Sequence, residues 1–187
     1  MKKDQKISKG DFLVSEPFMV DGNFKKTVVF LTEYDPDNGA IGFIINRQLQ
    51  YFVHDLLSDF PEFDSPVYFG GPVATNTIHY LHTAGDRLED SIEVVKGIYW
   101  GGNFEKLRFL VDNKLISPDE IRFFVGYSGW APGQLEEEMR HGSWIIAPSE
   151  PDYIFNMPDK DIWKKVLENK GDMYKIIAEI PDNYVLN

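Results

Sequence analysis

The chain has 187 residues, of which 43% are hydrophobic and 14% aromatic, and this is enough apolar material for one packed domain. It contains no cysteine, which excludes disulfides, thiolate metal sites and thiol catalysis and is typical of a reducing cytoplasm. Its 30 acidic and 19 basic side chains give a formal net charge of -11, and this field repels polyanions and disfavours DNA or RNA as a partner.

The first predicted elements form the centre of a sheet. Two nearly continuous apolar runs, VVFL and AIGFII, lie within residues 27–47 and flank the sequence Asp-Pro-Asp-Asn-Gly at 35–39. Asn-Gly tolerates the positive φ angles of tight turns, so this segment predicts a β-hairpin. Apolar runs of this kind are typical of strands covered on both faces, and we therefore expect the hairpin to be buried.

A short helix and two strands follow the hairpin. Residues 52–60 have apolar side chains at helical spacing and end at Pro61. Residues 67–72 predict a buried strand that ends in a glycine turn. Residues 77–83 predict a strand whose even-numbered side chains, from Ile78 to His82, share one face, while His79 and Leu81 share the other.

The second half continues with mixed elements. Residues 91–102 read as one strand, and residues 103–113 as a helix capped by Asn103. A strand over 121–128 leads to a helix with the sequence PGQLEEEMRHG, which places acids near its start and Arg and His in its last turn. A strand over 143–148 and a final amphipathic helix over 159–171 complete the series. Because helices and strands alternate irregularly, we predict an α+β fold with a mixed sheet.

Ser128 lies in the motif GYSGW and resembles a serine nucleophile on a sharp turn. The nucleophile elbow requires G-x-S-x-G, and Trp130 occupies the second glycine position. Only His141 follows the serine, on the adjoining helix. We therefore interpret the motif as a structural corner in which Trp130 and Tyr127 cover the core and use their polar tips to reach backbone partners. No catalytic residue is predicted.

The histidines do not form a metal motif. His79 and His82 are three residues apart, which in a strand sends them to opposite faces. Neither a His-Glu-x-x-His pattern nor a carboxylate cluster with ligand spacing accompanies them. The sequence predicts no metal centre and no cofactor.

Three glycine turns, at residues 70–72, 101–103 and 126–133, are the candidates for a ligand pocket. They lack the G-x-G-x-x-G and Walker patterns, but they place flexible backbone beside aromatic side chains. The candidate ligand-binding residues are Gly70, Gly71, Gly101, Gly102, Asn103, Ser128 and Trp130. The alternative interpretation is that these glycines only satisfy tight turns.

Several blocks of the sequence together resemble the AlgH/YqgE-like family of bacterial proteins. They are GDFLVSEPFMVDGNFKKTVVFL, GAIGFIINR, VYFGGPV, WGGNFEKL and IRFFVGYSGWAPGQLEEEMRHGSWI, in order from about residue 10 to about residue 156. The resemblance implies a single α+β domain over 1–187, with a bifurcated or partly barrelled sheet surrounded by helices and a C-terminal helical extension over 157–187. The family has no established activity, so it supplies no catalytic residues, although one branch has been called a transcriptional regulator.

Three functional hypotheses follow. The first is a non-catalytic regulatory or interaction protein of the cytoplasm that binds a protein partner with a basic surface, because opposite potentials speed encounter. The second is an enzyme or small-ligand binder that uses a pocket formed by the glycine turns. The third, by family analogy, is a transcriptional regulator. No apolar run approaches the ~20 residues of a membrane span and no secretory signal is evident, so a membrane location is not expected. The sequence does not indicate an oligomeric state.

Overall fold

The structure is a computed structural model that describes residues 6–179, within which ten strands belong to one sheet. The strands are β1 Phe12–Ser15, β2 Val28–Asp35, β3 Gly39–Ile44, β4 Gln48–Phe52, β5 Pro66–Phe69, β6 Val73–His82, β7 Ile92–Val95, β8 Ile98–Trp100, β9 Ile121–Trp130 and β10 Trp144–Ala147. The helices are α1 Val53–Leu56, α2 Phe104–Asp112, α3 Gln134–Arg140, α4 Pro151–Phe155, α5 Asp159–Glu168 and α6 Asp172–Ala178. This arrangement confirms the predicted α+β class.

The sheet branches at β9. Its main path runs β10-β1-β2-β3-β9-β6-β8-β7, and β5 joins β9 on the edge that β3 also uses. Val67 of β5 pairs in parallel with Phe123, whereas Ala40 of β3 pairs antiparallel with Trp130. The first half of β9 therefore belongs to one branch and the last part to the other, which confirms a bifurcated sheet.

The main path also rolls toward closure, because β7 at its far end lies against the segment before β1. The Gly10 N–H donates to Leu31 O of β2 at 2.8 Å. A Cβ at Gly10 would lie 2.2 Å from Val95 Cγ1, so only glycine leaves room for β7 here. The Lys9 ammonium donates to Glu93 O at 2.7 Å. These contacts confirm the partly barrelled form.

Three apolar clusters fill the two faces of the sheet. The inside of the roll, including Phe43 and Phe124, packs against α4, α5 and α6. The second cluster, around Phe123, lies beneath α1 and α2, and the third, around Trp144, packs against α3. Burying each large side chain contributes about 1.5–3 kcal/mol.

A bulge at Gly126, whose φ is +65°, turns Tyr127 to the inside of the roll.

A buried polar cluster fixes α5 to the sheet. Arg122 of β9 stacks on the Tyr68 ring at 4.1 Å and donates to Ile45 O at 2.6 Å. Its guanidinium also lies 3.4 Å from Asp159 Oδ1 in the first turn of α5. Burial raises the pKa of Asp159 and raises the pKa of Tyr68 to about 12. The cluster satisfies a buried cation that would otherwise be costly.

Most predicted elements are confirmed, and three differ. Residues 91–102 form two strands, β7 and β8, because Gly97 adopts a φ of +82° and reverses the chain. The helix predicted over 52–60 ends at Leu56, since Phe60 and Phe63 leave the helical path to pack edge-on against Phe123. The helix α5 is not the last, because α6 follows at Gly171.

Candidate binding cleft

Two of the three glycine turns meet in the structure. A Cβ at Gly70 would lie 2.4 Å from Gly126 O, and one at Gly71 would lie 2.3 Å from the Tyr127 carbonyl carbon. Both distances are shorter than any real Cβ contact, so the backbone of the GGP turn lies directly on the backbone of the GYSGW motif. The two unusual motifs therefore form one structural corner.

Ser128 is part of this corner and is fully buried. Its hydroxyl donates to Gly70 O at 3.0 Å, an acceptor that cannot serve as a catalytic base. A serine nucleophile needs a base within hydrogen-bond reach and an open approach to substrate. The structural interpretation of Ser128 is therefore the one that the geometry supports.

Trp130 also has a structural role, although the hydrogen-bond partner of its indole N–H differs from the expected backbone group. Its Nε1–H donates to Glu138 Oε2 at 2.9 Å, and Trp144 Nε1–H donates to the same oxygen at 2.8 Å. The two indoles meet edge-to-face with centroids 5.8 Å apart. The expectation of a backbone partner for Trp130 was wrong, because a carboxylate on α3 faces both rings.

The third glycine turn lies elsewhere. The Tyr80 hydroxyl donates to Gly102 O at 2.7 Å, and Asn103 caps α2 by accepting the Lys106 N–H at 2.9 Å. Tyr80 pairs with Phe123, whereas Gly71 lies on Tyr127, roughly 13 Å further along β9 at 3.3 Å per residue. The turn at Gly101–Asn103 therefore packs on Tyr80 and His82 of β6, away from the other two turns.

A second serine lies beside a histidine, but the pair is not arranged for catalysis. His82 Nδ1 accepts the Ala84 N–H at 3.1 Å, so the ring proton lies on Nε2. Nε2 is 2.8 Å from Gly101 O and 3.1 Å from Ser91 Oγ. The Ser91 hydroxyl donates to Leu88 O at 2.7 Å. With its own proton on Nε2, the histidine has no lone pair to accept one from Ser91.

The buried state of His82 predicts a loss of stability in acid. Burial is the largest cause of the lowered pKa of His82, so the folded protein resists protonation while the unfolded chain binds a proton near the ordinary value of 6.5. Stability is complete above that pH and falls as the pH drops below it, by about 1.4 kcal/mol per pH unit at most for one histidine. Urea titrations at about pH 7.5 and about pH 5.5 measure this slope. We expect His82→Asn, which cannot titrate, to reduce it, and equal slopes in both proteins would contradict the assignment.

One open cleft of about 630 Å³ lies where the rolled sheet opens. Its walls come from the β2–β3 hairpin, the end of β9, the start of β6 and the segment before β1. The lining residues are Lys9, Glu33, Tyr34, Asp35, Asn38, Gly39, Ala40, Ile41, Val73, Tyr127, Gly129 and Trp130. Of the predicted ligand-binding residues, Trp130 alone lines this cleft.

The polar side chains that line the cleft differ in whether they already have hydrogen-bond partners within the protein. Asp35 Oδ1 accepts the backbone N–H groups of Asp37 and Asn38 and so closes the hairpin turn. The Tyr34 hydroxyl donates to Glu136 Oε1 at 2.6 Å, and this bond raises the pKa of Tyr34 to about 12. Glu33 is exposed and pairs across the sheet with the half-buried Ile41. Glu33 is therefore the carboxylate most available to a ligand.

An aromatic cluster lies behind the cleft. The ring of Tyr127 meets His79 edge-on with centroids 5.8 Å apart, and His79 lies within 6.4 Å of Trp100 and 5.3 Å of Phe43. Burial lowers the pKa of His79, so its ring is neutral at pH 7. Tyr127 thus joins the cleft to a rigid aromatic wall.

Residues 6–179 contain neither a candidate metal site nor a membrane-spanning helix. No group of three or more His, Asp or Glu side chains there is placed to hold a metal ion. No helix within the same range is long and apolar enough to cross a bilayer.

The fold and site define a class of protein with one α+β domain, a branched and rolled sheet, and an open cleft with charged groups at its rim. A family model described as AlgH-like matches residues 12–175, and the chain belongs to this family. The family resemblance in the sequence is thereby confirmed.

Relatives and solved structures agree with this assignment. A UPF0301 protein of Chlorobium luteolum is 38% identical over 183 residues, which cover 98% of this chain and 96% of that protein. A UPF0301 protein of Bacteroides thetaiotaomicron is 40% identical over 177 residues, with 93% and 88% coverage. The solution structure of AlgH from Pseudomonas aeruginosa has a TM-score of 0.74 at 26% identity, covering 97% of this chain and 98% of that one. A crystal structure from Corynebacterium diphtheriae has a TM-score of 0.78 at 20% identity and 95% coverage of both chains, which supports the fold alone.

Proposed function

We propose that this protein is a non-catalytic regulatory protein of the cytoplasm that binds a protein partner with a basic surface. The cleft at the opening of the rolled sheet is its binding site, and it accepts an arginine or lysine side chain of the partner. The observation that carries this proposal is the pairing of exposed Glu33 with the apolar Ile41 beside the Tyr127 ring.

The chemistry of the cleft suits a cation with an apolar stem. A guanidinium can pair with the Glu33 carboxylate and stack on a phenol ring, while its methylene groups contact Ile41 and Val73. Lys9 also lines the cleft, but its ammonium donates to Glu93 O and is thereby directed to β7. The formal net charge of -11 adds long-range attraction for a basic partner.

The rival hypotheses receive less support from the geometry. A serine hydrolase needs an activated serine nucleophile, and the hydroxyls of Ser128 and Ser91 both donate to backbone carbonyls. A pocket shared by the three glycine turns needs them to converge, and Gly101–Asn103 instead packs on Tyr80 of β6, away from the turn at Gly71. Direct DNA binding needs a basic surface that the overall charge opposes.

The test uses a short peptide probe that presents a single arginine side chain and little else for the protein to contact. The acetylated and amidated tripeptide glycine–arginine–glycine is titrated into the isotope-labelled protein, and amide shifts are followed by NMR. We expect shifts in residues 33–41 and 127–130, and an affinity reduced about tenfold or more by Glu33→Lys, because one attraction becomes a repulsion. Glu137→Lys makes the same charge change on the exposed face of α3 and is expected to leave binding unchanged.

Two outcomes would count against the proposal. Shifts spread evenly over the acidic surface, equally weakened by both variants, would indicate charge screening without a site. Binding of duplex DNA with steep salt dependence would instead favour the transcriptional regulator.

A further inference from the structure

The sheet has an edge strand, β4, that carries neither charged residues nor proline, and its register with β5 shifts between Gln48 and Phe52. In the described part of the chain β4 pairs with β5 alone, so its other side ends the sheet. Its five residues, QLQYF, include no charged residue and no proline, and four of them are exposed. Proteins commonly protect such edges with lysine, proline or a covering segment, since an exposed edge pairs readily with another chain.

The other outer edges are protected. At β7 the Glu93 carbonyl accepts the Lys9 ammonium, and Val95 fills the space beside Gly10. β10 offers no exposed side chains at its edge, since its four residues are buried or half-buried. Among these edges β4 alone combines an uncharged strand with exposed side chains.

Large apolar side chains extend from this edge. Tyr51, Phe52 and Leu56 are 54%, 41% and 39% exposed, and they follow one another through the end of β4 and α1. Phe52 is held in place, since its ring stacks on His54 with centroids 5.6 Å apart and its N–H donates to Asp55 Oδ2. The Phe52 ring is therefore a fixed part of this exposed surface.

The charged side chains that follow β4 are acidic, whereas Arg47 directly before β4 donates to the carbonyls of Gly22 and Lys25. Residues 48–86 contain neither lysine nor arginine. They carry exposed carboxylates immediately after β4, at Asp55, Asp59, Glu62 and Asp64. An occupant must therefore bring positive charge, and a second copy of this acidic chain would place like charges against each other.

We propose that the β4 edge is a docking site for an extended, basic segment of a protein partner, which adds to the sheet as a further strand. Backbone hydrogen bonds along β4 hold the segment, its apolar side chains contact Tyr51 and Phe52, and its lysines or arginines face the carboxylates of the 55–64 loop. This is strand addition, in which main-chain bonds give affinity and alternate side chains give specificity. It rests on the proposed function only in the class of partner, because the surface differs from the cleft.

The experiment compares peptides that differ in one property each. The probe is an acetylated and amidated octapeptide that alternates lysine and valine. Its first control has all backbone amides N-methylated, which blocks strand pairing along both edges of the peptide and keeps the charge. Its second control replaces lysine with glutamate. We expect NMR shifts in residues 48–56 for the probe, with binding at least about tenfold weaker for either control.

Variants of the protein separate this site from others. Tyr51→Lys is expected to weaken probe binding about tenfold or more, because it removes a ring and adds repulsion. Ile92→Lys makes a matched change at the β7 edge, where Ile92 is 51% exposed, and is expected to have no effect. Tyr51→Phe keeps the ring and is expected to retain binding. Melting temperatures of all variants report on folding.

Three outcomes would overturn the inference. Equal binding of the N-methylated peptide would exclude strand addition, and equal binding of the glutamate peptide would exclude a basic partner. Sedimentation showing a dimer that Tyr51→Lys dissociates would assign the edge to a second copy. Glu33→Lys is expected to leave probe binding at β4 intact, so a failure in the cleft and a failure at β4 are distinguishable.

Discussion

Glu138→Ala is expected to lower the free energy of unfolding by about 2–6 kcal/mol, the cost of leaving two buried donors unsatisfied. One carboxylate oxygen accepts the indole N–H groups of both Trp130 and Trp144. These side chains are only 6% and 3% exposed, so a structural change would be needed to bring another protein acceptor to either N–H group. Phe24 packs on both rings and restricts any such change. Urea unfolding followed by circular dichroism measures the loss.

Two further variants make this prediction specific. Glu137→Ala removes the exposed neighbouring carboxylate and is expected to change stability by no more than about 0.5 kcal/mol. Glu138→Gln retains an oxygen that can accept one or both indole N–H groups. Its stability is expected to lie between those of Glu138→Ala and Glu137→Ala. If Glu138→Ala were as stable as Glu137→Ala, the carboxylate would not be holding the tryptophan pair.

Gly126→Ala is expected to cost about 2–5 kcal/mol, from a left-handed backbone and a steric clash together. Gly126 has a φ of +65°, and an added Cβ would lie 2.5 Å from Gly71 O and 2.8 Å from Val73 O. Both neighbours are backbone atoms of the turn that packs on the GYSGW motif. They cannot move away without separating β6 from β9. The change in unfolding free energy is measured in urea.

Gly133→Ala is the matched control for this substitution. Gly133 has a similar φ of +77°, but an added Cβ would meet no atom within 4 Å in the described chain. It is expected to cost about 1–2 kcal/mol, the backbone contribution alone. The difference between the two variants isolates the close approach of the two motifs. Equal losses would mean that the corner can open to admit a methyl group.

Sequence reasoning succeeded where the relevant interactions are local. The hairpin at 35–39 follows from residues that satisfy the turn themselves, since Asp35 accepts two N–H groups within three residues. The cap at Asn103 is similarly contained within one turn of helix. The helix predicted over 52–60 ended early because Phe60 and Phe63 gain more from packing on Phe123 than from continuing a helix.

The candidate cleft was largely beyond the reach of the sequence. Its residues come from four separated segments, and no short pattern connects Glu33 or Lys9 with Tyr127. The motif GYSGW indicated Trp130, but the role of Glu138 depends on the direction in which α3 presents its side chains. The position of β4 at an edge of the sheet likewise appears only once the pairing of every strand is known.

The sequence by itself determined the fold class, the hairpin with its turn at 35–39, the family and the absence of a complete nucleophile motif, because each depends on local turn chemistry, periodicity or residue type. The tertiary structure decided that β9 serves two branches, that β7 rolls back to Gly10, that an open cleft lies beside Tyr127, and that β4 lies at an edge of the described sheet. These features depend on contacts between residues far apart in the chain, whose pairing is set by how well whole surfaces pack and not by any single segment.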